Sequence, residues 1–240
     1  MHIIEAKNFS KHYGKRQVVK DLSLYVNAGE TVGLLGPNGA GKTTTFYMMV
    51  GLIKPDVGKI FLDSKNITTY PMYRRAKLGI SYLPQEPSIF RKLTVEDNIR
   101  AVLEIKGLSQ DEIDVETSRL LKEFNLVELA SKEGYKLSGG ERRKTEIARA
   151  IAIKPIFILF DEPFAGIDPI AILELKKMLN YLKDKGLGIL ITDHNVRDTL
   201  SITDRAYIIN NGEILEEGEP YKIVANSKVK ETFLGEEFIL

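Results

Sequence analysis

Residues 36–43 read Gly36-Pro37-Asn38-Gly39-Ala40-Gly41-Lys42-Thr43, an instance of the pattern G-x-x-x-x-G-K-[ST]. Its glycines let the backbone curl so that successive N–H groups point inward at phosphate oxygens. Lys42 would set a point charge on the outer phosphates, and the helix it opens would turn its positive end toward them. Thr43 offers a hydroxyl for Mg2+, with Thr44 a neighbouring donor. The pattern means nucleotide only between a strand and a helix. Thr31-Val32-Gly33-Leu34-Leu35 is apolar on both faces, as a buried parallel strand is, and Lys42 to about Gly51 reads as a helix. A Gly-rich turn without a ligand is the plain alternative, and this context argues against it.

A second element downstream matches the first. Ile156-Phe157-Ile158-Leu159-Phe160 is an apolar run that delivers Asp161 and Glu162 to a strand's C-terminal end, where open α/β sheets bind ligands. Strands often end in solvated acids. With the phosphate loop upstream, however, the pair suits hydrolysis of Mg·ATP: Asp161 would hold Mg2+ through its water shell, and Glu162 would act as general base on the attacking water. That chemistry expects the Asp161 strand next to the strand of the phosphate loop.

The flanking sequence supplies the frame. Residues 1–30 alternate apolar and polar positions, the period of half-buried strands, and Asn27-Ala28-Gly29-Glu30 is a turn. Lys54–Gly58 breaks the chain before a strand at Lys59–Leu62. From Leu93 to about Lys154 there is no strand pattern but a series of helix starts. Thr94 with Asp97 is a cap, Ser109-x-x-Glu112 and Ser138-x-x-Glu141 are capping boxes, and a shorter segment lies near Val127. Strands return at Ile156–Phe160, Gly188–Thr192 and Ala206–Asn210, with a helix opening at Asp168-Pro169 between the first two. Pro220 to Leu240 reads as one amphipathic helix and a short extension. The expectation is a mostly parallel sheet in one domain spanning 1–240. Its core would be about 1–92 and 155–240, with a helical subdomain over about 93–154.

Composition narrows the function. With 34 Lys and Arg against 33 Asp and Glu the net charge is +1, without the basic excess of a nucleic-acid binder. There is no Cys, and His2, His12 and His194 are scattered, so neither a disulfide, a thiolate metal site nor a His-based zinc site is expected. No run approaches the eighteen or so apolar residues that span a bilayer, and the first residues lack an apolar signal-peptide core. The reading is a cytosolic protein that meets a membrane only through a partner.

Leu137-Ser138-Gly139-Gly140-Glu141 sets a serine and two glycines at a helix start, which would make a second phosphate cradle. Alone, Ser138 and Glu141 would merely cap that helix. With the other two motifs the segment closely resembles the signature of ABC-type ATPases. The resemblance covers essentially the whole chain. It implies a P-loop NTPase (RecA-like) α/β core with an N-terminal antiparallel β subdomain and an inserted α-helical subdomain. It also implies ATP and Mg2+ as cofactors. Gln85 in Tyr82-Leu83-Pro84-Gln85 resembles the glutamine that contacts Mg2+ and the water. Ala165-Gly166-Ile167-Asp168 resembles the D-loop. His194 in Ile191-Thr192-Asp193-His194 resembles the histidine that contacts the γ-phosphate, and Tyr13 in Lys11-His12-Tyr13-Gly14 the aromatic that stacks on adenine. Members of the family sandwich each ATP between one P-loop and the signature of a second domain. Ser138, Gly139 and Gly140 would thus serve the ATP of a partner chain, in a homodimer or beside a paralogue.

A narrower likeness is to the lipopolysaccharide-export ATPases. It rests on Gly79–Val95, Ser138–Arg149, Asp161–Ile170, Ile191–Thr199 and the ending Phe233–Phe238. Importers of branched-chain amino acids share much of it, and a soluble single-domain ABC ATPase such as that of iron–sulfur cluster assembly is the rival class. The export likeness implies two copies of the chain on the cytoplasmic face of the inner membrane, beneath two membrane permease subunits. These would dock near Gln85 and on Pro87–Leu93, with Ile89 and Phe90 read as exposed anchors; inward packing of both is the alternative.

Overall fold

Alternating apolar residues make β1 (Ile3–Tyr13) and β2 (Arg16–Asn27) a long antiparallel hairpin in the computed structural model, which describes residues 2–238 and 240. Past the turn at Asn27–Glu30 the chain enters β3 (Thr31–Leu35), buried at every residue, and then α1 (Lys42–Val50). The strand β4 (Val57–Leu62) returns to pair with β1. With the short β5 (Lys65–Asn66) it completes an antiparallel sheet in the order β2-β1-β4-β5. Then come α2 (Met72–Lys77) and β6 (Ile80–Leu83), neither of which the sequence reading assigns.

The next stretch is helical: α3 (Val95–Ile105), α4 (Gln110–Glu123), a 3-10 turn at Val127–Leu129 and α5 (Gly139–Ala152). Their starts carry the expected caps. Thr94 accepts from the Asp97 N–H, and Ser109 with Glu112 and Ser138 with Glu141 form complete capping boxes. The remaining elements are β7 (Phe157–Asp161), α6 (Pro169–Asp184), β8 (Gly188–Thr192), α7 (Val196–Leu200), β9 (Arg205–Asn210), β10 (Glu213–Gly218) and α8 (Pro220–Ala225).

The second sheet runs β10-β9-β3-β8-β7-β6, parallel except for the edge strand β10. Two expectations fail here. The Asp161 strand is not next to the P-loop strand, because β8 lies between them, with Thr192 opposite both Leu34 and Asp161. All of β8 is buried, so it gains most by pairing on both edges. The tail is not one helix either. Asn226 leaves helical geometry at ψ 117°, and its side chain caps a fresh turn at Ser227–Val229, followed by a wide turn at Lys230–Leu234.

One core joins the antiparallel sheet and α1 to one face of the six-stranded sheet through Phe46, Met49, Leu159 and Leu190. A second joins α3, α4, α5 and α6 to its other face through Ile147, Leu179, Ile158 and Ile191. The C-terminal ends of β3, β6, β7 and β8 therefore open to one side, with the P-loop among them.

Candidate active site

Backbone crowding sets the P-loop's shape. Gly36 has φ 147°, and a Cβ there would lie 2.0 Å from Ile209 O of β9, so only glycine lets the loop pass that strand. Lys42 is 6% exposed; its Nζ donates to Gly36 O at 2.7 Å and Pro37 O at 3.0 Å. Burial pushes its ammonium down from the usual lysine range, and the nearby Glu162 carboxylate partly opposes this. A cleft of about 210 Å3 lies over this loop, lined by Asn38, Gly39, Gly41, Lys42, Thr43, Thr44 and His194 together with Arg16 and Val18 of β2. Ala40 is buried and Pro37 half-buried, and neither lines the cleft. Tyr13 sits opposite Arg16 at the tip of the first hairpin, 50% exposed, and does not line the cleft.

The strand ends bring three separated residues together. Glu162 leaves β7 with φ 46°, a left-handed backbone in a non-glycine residue that persists only where its surroundings enforce it. Its N–H donates to Thr192 O at 2.7 Å. Its Oε2 accepts from Gln85 Nε2 at 2.7 Å, and its Oε1 lies 2.6 Å from His194 Nε2. The intervening β8 thus supplies the histidine, and β6 supplies the glutamine. This carboxylate is 15% exposed while His194 is 56% exposed, so the ring faces solvent beside the P-loop cleft.

Asp161 is buried beneath this triad. Burial pushes its carboxyl up, opposed by hydrogen bonds from Tyr47 and Tyr82; the Tyr82 hydroxyl donates at 3.3 Å. Asp193, also buried, accepts from the N–H groups of Phe164 and Asn195 at 2.8 Å each. It thereby ties the turn after Glu162 to the turn after His194. Sequence reasoning missed Arg16, Tyr47, Tyr82 and Asp193. Tyr82 and Asp193 stand inside quoted motifs, but nothing in spacing alone says that they reach Asp161 or Phe164.

No trio of His, Asp and Glu side chains among the described residues could hold a metal by itself. Mg2+ needs no such trio, since it binds through one or two protein oxygens, phosphates and water. Of the three residues assigned to Mg2+ from the sequence, Thr43 lines the P-loop cleft, Gln85 donates to Glu162 and Asp161 is buried at the end of β7.

Ser138, Gly139 and Gly140 stand apart from this cluster. Ser138 and Gly139 are exposed at the start of α5, and none of the three lines the P-loop cleft. Asp168 accepts from the N–H groups of Ile170 and Ala171 as the cap of α6. The pair read as exposed anchors is split. Ile89 is 7% exposed inside the helical core, because Glu146 holds the Ser88 and Ile89 N–H groups and turns the side chain inward. Phe90 remains 45% exposed, with the Arg149 guanidinium 4.7 Å from its ring centre.

The ABC transporter family profile matches residues 19–165. The chain belongs to the ABC transporter family. It is 54% identical over 241 residues to the lipopolysaccharide export system ATP-binding protein LptB of Haemophilus influenzae and 52% identical to that of Escherichia coli K12, covering all of each chain. Among solved structures it resembles the ADP conformation of MJ1267, an ATP-binding cassette of an ABC transporter. The TM-score is 0.86 at 29% identity, covering 98% of this chain and 100% of that one. A dimeric, post-hydrolysis cassette, MJ0796 bound to ADP and Pi, gives 0.78 at 25% identity, covering 90% and 98%. The protein is therefore an ATP-binding cassette ATPase, and the two sheets with their helical lobe are the fold of that family. No helix among the described residues is long and apolar enough to cross a membrane.

Proposed function

We propose that this ATPase is the motor of a lipopolysaccharide exporter, working as a homodimer beneath two membrane permease subunits on the cytoplasmic face of the inner membrane. What carries the substrate is the full-length identity to the two export-system proteins. What carries the chemistry is Glu162, held between Gln85 and His194 at the edge of the P-loop cleft.

In this reading the P-loop N–H groups and Lys42 cradle the phosphates, and Tyr13 stacks on the adenine from the hairpin tip. Glu162 takes a proton from the attacking water, and His194 holds the γ-phosphate against it. Mg2+, held by Thr43, Gln85 and, through water, Asp161, would supply charge neutralisation on the phosphates. None of Ser138, Gly139 and Gly140 lines its own cleft; the Ser138 N–H is held by Glu141, and Gly139 and Gly140 open the helix α5. They would close on the ATP of the second copy, and residues 93–154 would move as the lobe that carries them. Hydrolysis then replaces a bridging γ-phosphate with two repelling anions, and the dimer opens.

The permeases would dock beside Gln85, where a groove of about 380 Å3 is lined by Glu86, Pro87, Ile89, Arg91, Tyr135 and Arg142 and Phe90 is exposed. Two variants separate packing from docking. Ile89→Ala should lower stability by about 2–4 kcal/mol, the cost of a truncated core side chain. Phe90→Ala should cost less than about 1 kcal/mol in a thermal melt, yet release the permeases from the purified complex. A Phe90 variant that melts early and keeps its partners would reverse the assignment.

Affinity purification from gently solubilised membranes of the native host, followed by mass spectrometry, tests the whole proposal. Two membrane proteins linked to lipopolysaccharide export support it. Amino-acid permeases would keep the motor and change the cargo. A purely soluble partner set would refute the transporter role.

A further inference from the structure

The P-loop helix α1 ends on carbonyls that its own side chains do not complement, since its last turn carries no basic residue. The cation comes from another element. Arg75, on α2, is 1% exposed. Its Nη1 donates to Met48 O at 2.8 Å and Met49 O at 2.7 Å, which are carbonyls of the last turn of α1. Its Nε donates to Tyr70 O at 2.8 Å and its Nη2 to Thr68 O at 3.3 Å. Among the described residues no carboxylate pairs with it. Burial alone pushes its pKa down to about 10, which leaves it charged at neutral pH.

A buried cation without an anionic partner is costly. A tie between chain segments could be made by a neutral amide with a smaller desolvation penalty. The fold also keeps room for this group: Gly51, the left-handed cap of α1 at φ 92°, would bring a Cβ within 2.6 Å of Arg75 Nε. What a charge adds, and an amide does not, is compensation of the helix dipole. The opposite end of the same helix carries Lys42, Thr43 and Thr44 of the phosphate cleft.

We propose that Arg75 is a positioning residue for nucleotide binding: its buried charge cancels the negative end of the P-loop helix and so strengthens the positive end as a phosphate site. The inference rests on the nucleotide reading of that cleft. Across nine residues, about 13 Å, a unit charge in an effective dielectric near 20 changes affinity by about tenfold for each unit of phosphate charge.

Calorimetry with Mg·ATP and Mg·ADP on Arg75→Gln and Arg75→Lys, alongside thermal melts, tests this. Arg75→Gln should weaken Mg·ATP, with two net negative charges, about 100-fold and Mg·ADP, with one, about tenfold, with kcat at saturating ATP unchanged. Arg75→Lys, which keeps the charge but loses the fork, should bind ATP within about threefold of wild type. A folded Arg75→Gln chain with wild-type ATP affinity, or with equal losses for ATP and ADP, would overturn the proposal. If Arg75→Gln does not fold, the lysine variant decides: a folded Arg75→Lys chain that loses tenfold at neutral pH overturns the charge account, and one that binds as wild type there but loses ATP affinity on raising the pH, where wild type does not, upholds it, because a buried lysine gives up its charge first. Failure of the wild-type chain to bind nucleotide would instead sink the reading of the cleft.

Discussion

Glu162→Gln is expected to bind Mg·ATP within about threefold of wild type while turnover falls about 10²- to 10⁴-fold, the span attributed to a positioned general base. The amide nearly keeps the side chain's size, and Glu162 contributes no atom to the P-loop's cradle of N–H groups. Affinity should therefore survive, because the proposed mechanism has the phosphates held by residues 36–44 and not by the strand end of β7. What is lost is the group that can accept a proton where Gln85 and His194 converge at 2.7 Å and 2.6 Å. In the proposed cycle hydrolysis opens the dimer, so the blocked enzyme should accumulate closed. Sizing chromatography with Mg·ATP should show a dimer for the variant under conditions where wild type returns to monomer. A variant that stays monomeric, or one that turns over like wild type, would remove Glu162 from the base role.

Lys42→Ala should fail at the earlier step. The ammonium is buried and bound to the carbonyls of Gly36 and Pro37, so it is already poised inside the curl of the loop. A charged hydrogen-bond donor contributes about 3 kcal/mol at most, and its loss corresponds to roughly a 150-fold rise in the Kd for ATP. The Gly36 carbonyl it leaves is buried, so the unliganded protein should also lose about 1–3 kcal/mol of stability, read as a lower melting temperature. Unchanged ATP affinity by calorimetry would mean that the phosphates lie elsewhere.

These two residues show how far the sequence reaches. Lys42 is legible because its partners are its neighbours: Lys42 stands six positions after Gly36, and a strand before and a helix after fix their relation. The capping boxes at Ser109 and Ser138 are legible for the same reason, since each closes within one helical turn. Hydrophobic period and local hydrogen bonding also set the hairpin of β1 and β2, the all-helical stretch after Leu93 and the buried strands β3, β7 and β8.

Glu162 belongs to the other kind. Its contacts to Gln85 and His194 span 77 and 32 positions of the sequence, and they exist only because β6, β7 and β8 are adjacent and parallel in the sheet. Strand order is a choice among partners of similar hydrophobicity. Nothing within β8 says that it inserts between β3 and β7, and so the expectation that those two strands touch was reasonable and incorrect. Ile89 and Phe90 are adjacent and similarly apolar, yet one is buried and the other exposed. Glu146 of α5 holds the Ser88 and Ile89 N–H groups while Asn98 of α3 holds that of Phe90, and these distant helices fix the backbone that turns the two side chains apart. Arg75 looks like one of several surface cations in Tyr73-Arg74-Arg75-Ala76-Lys77, and only the packed structure turns it onto the end of the P-loop helix. The sequence by itself determined the elements, the phosphate loop and the chemistry of the residues. The tertiary structure decided which of them meet, because long-range pairing is fixed by the joint packing of whole faces and not by any local pattern.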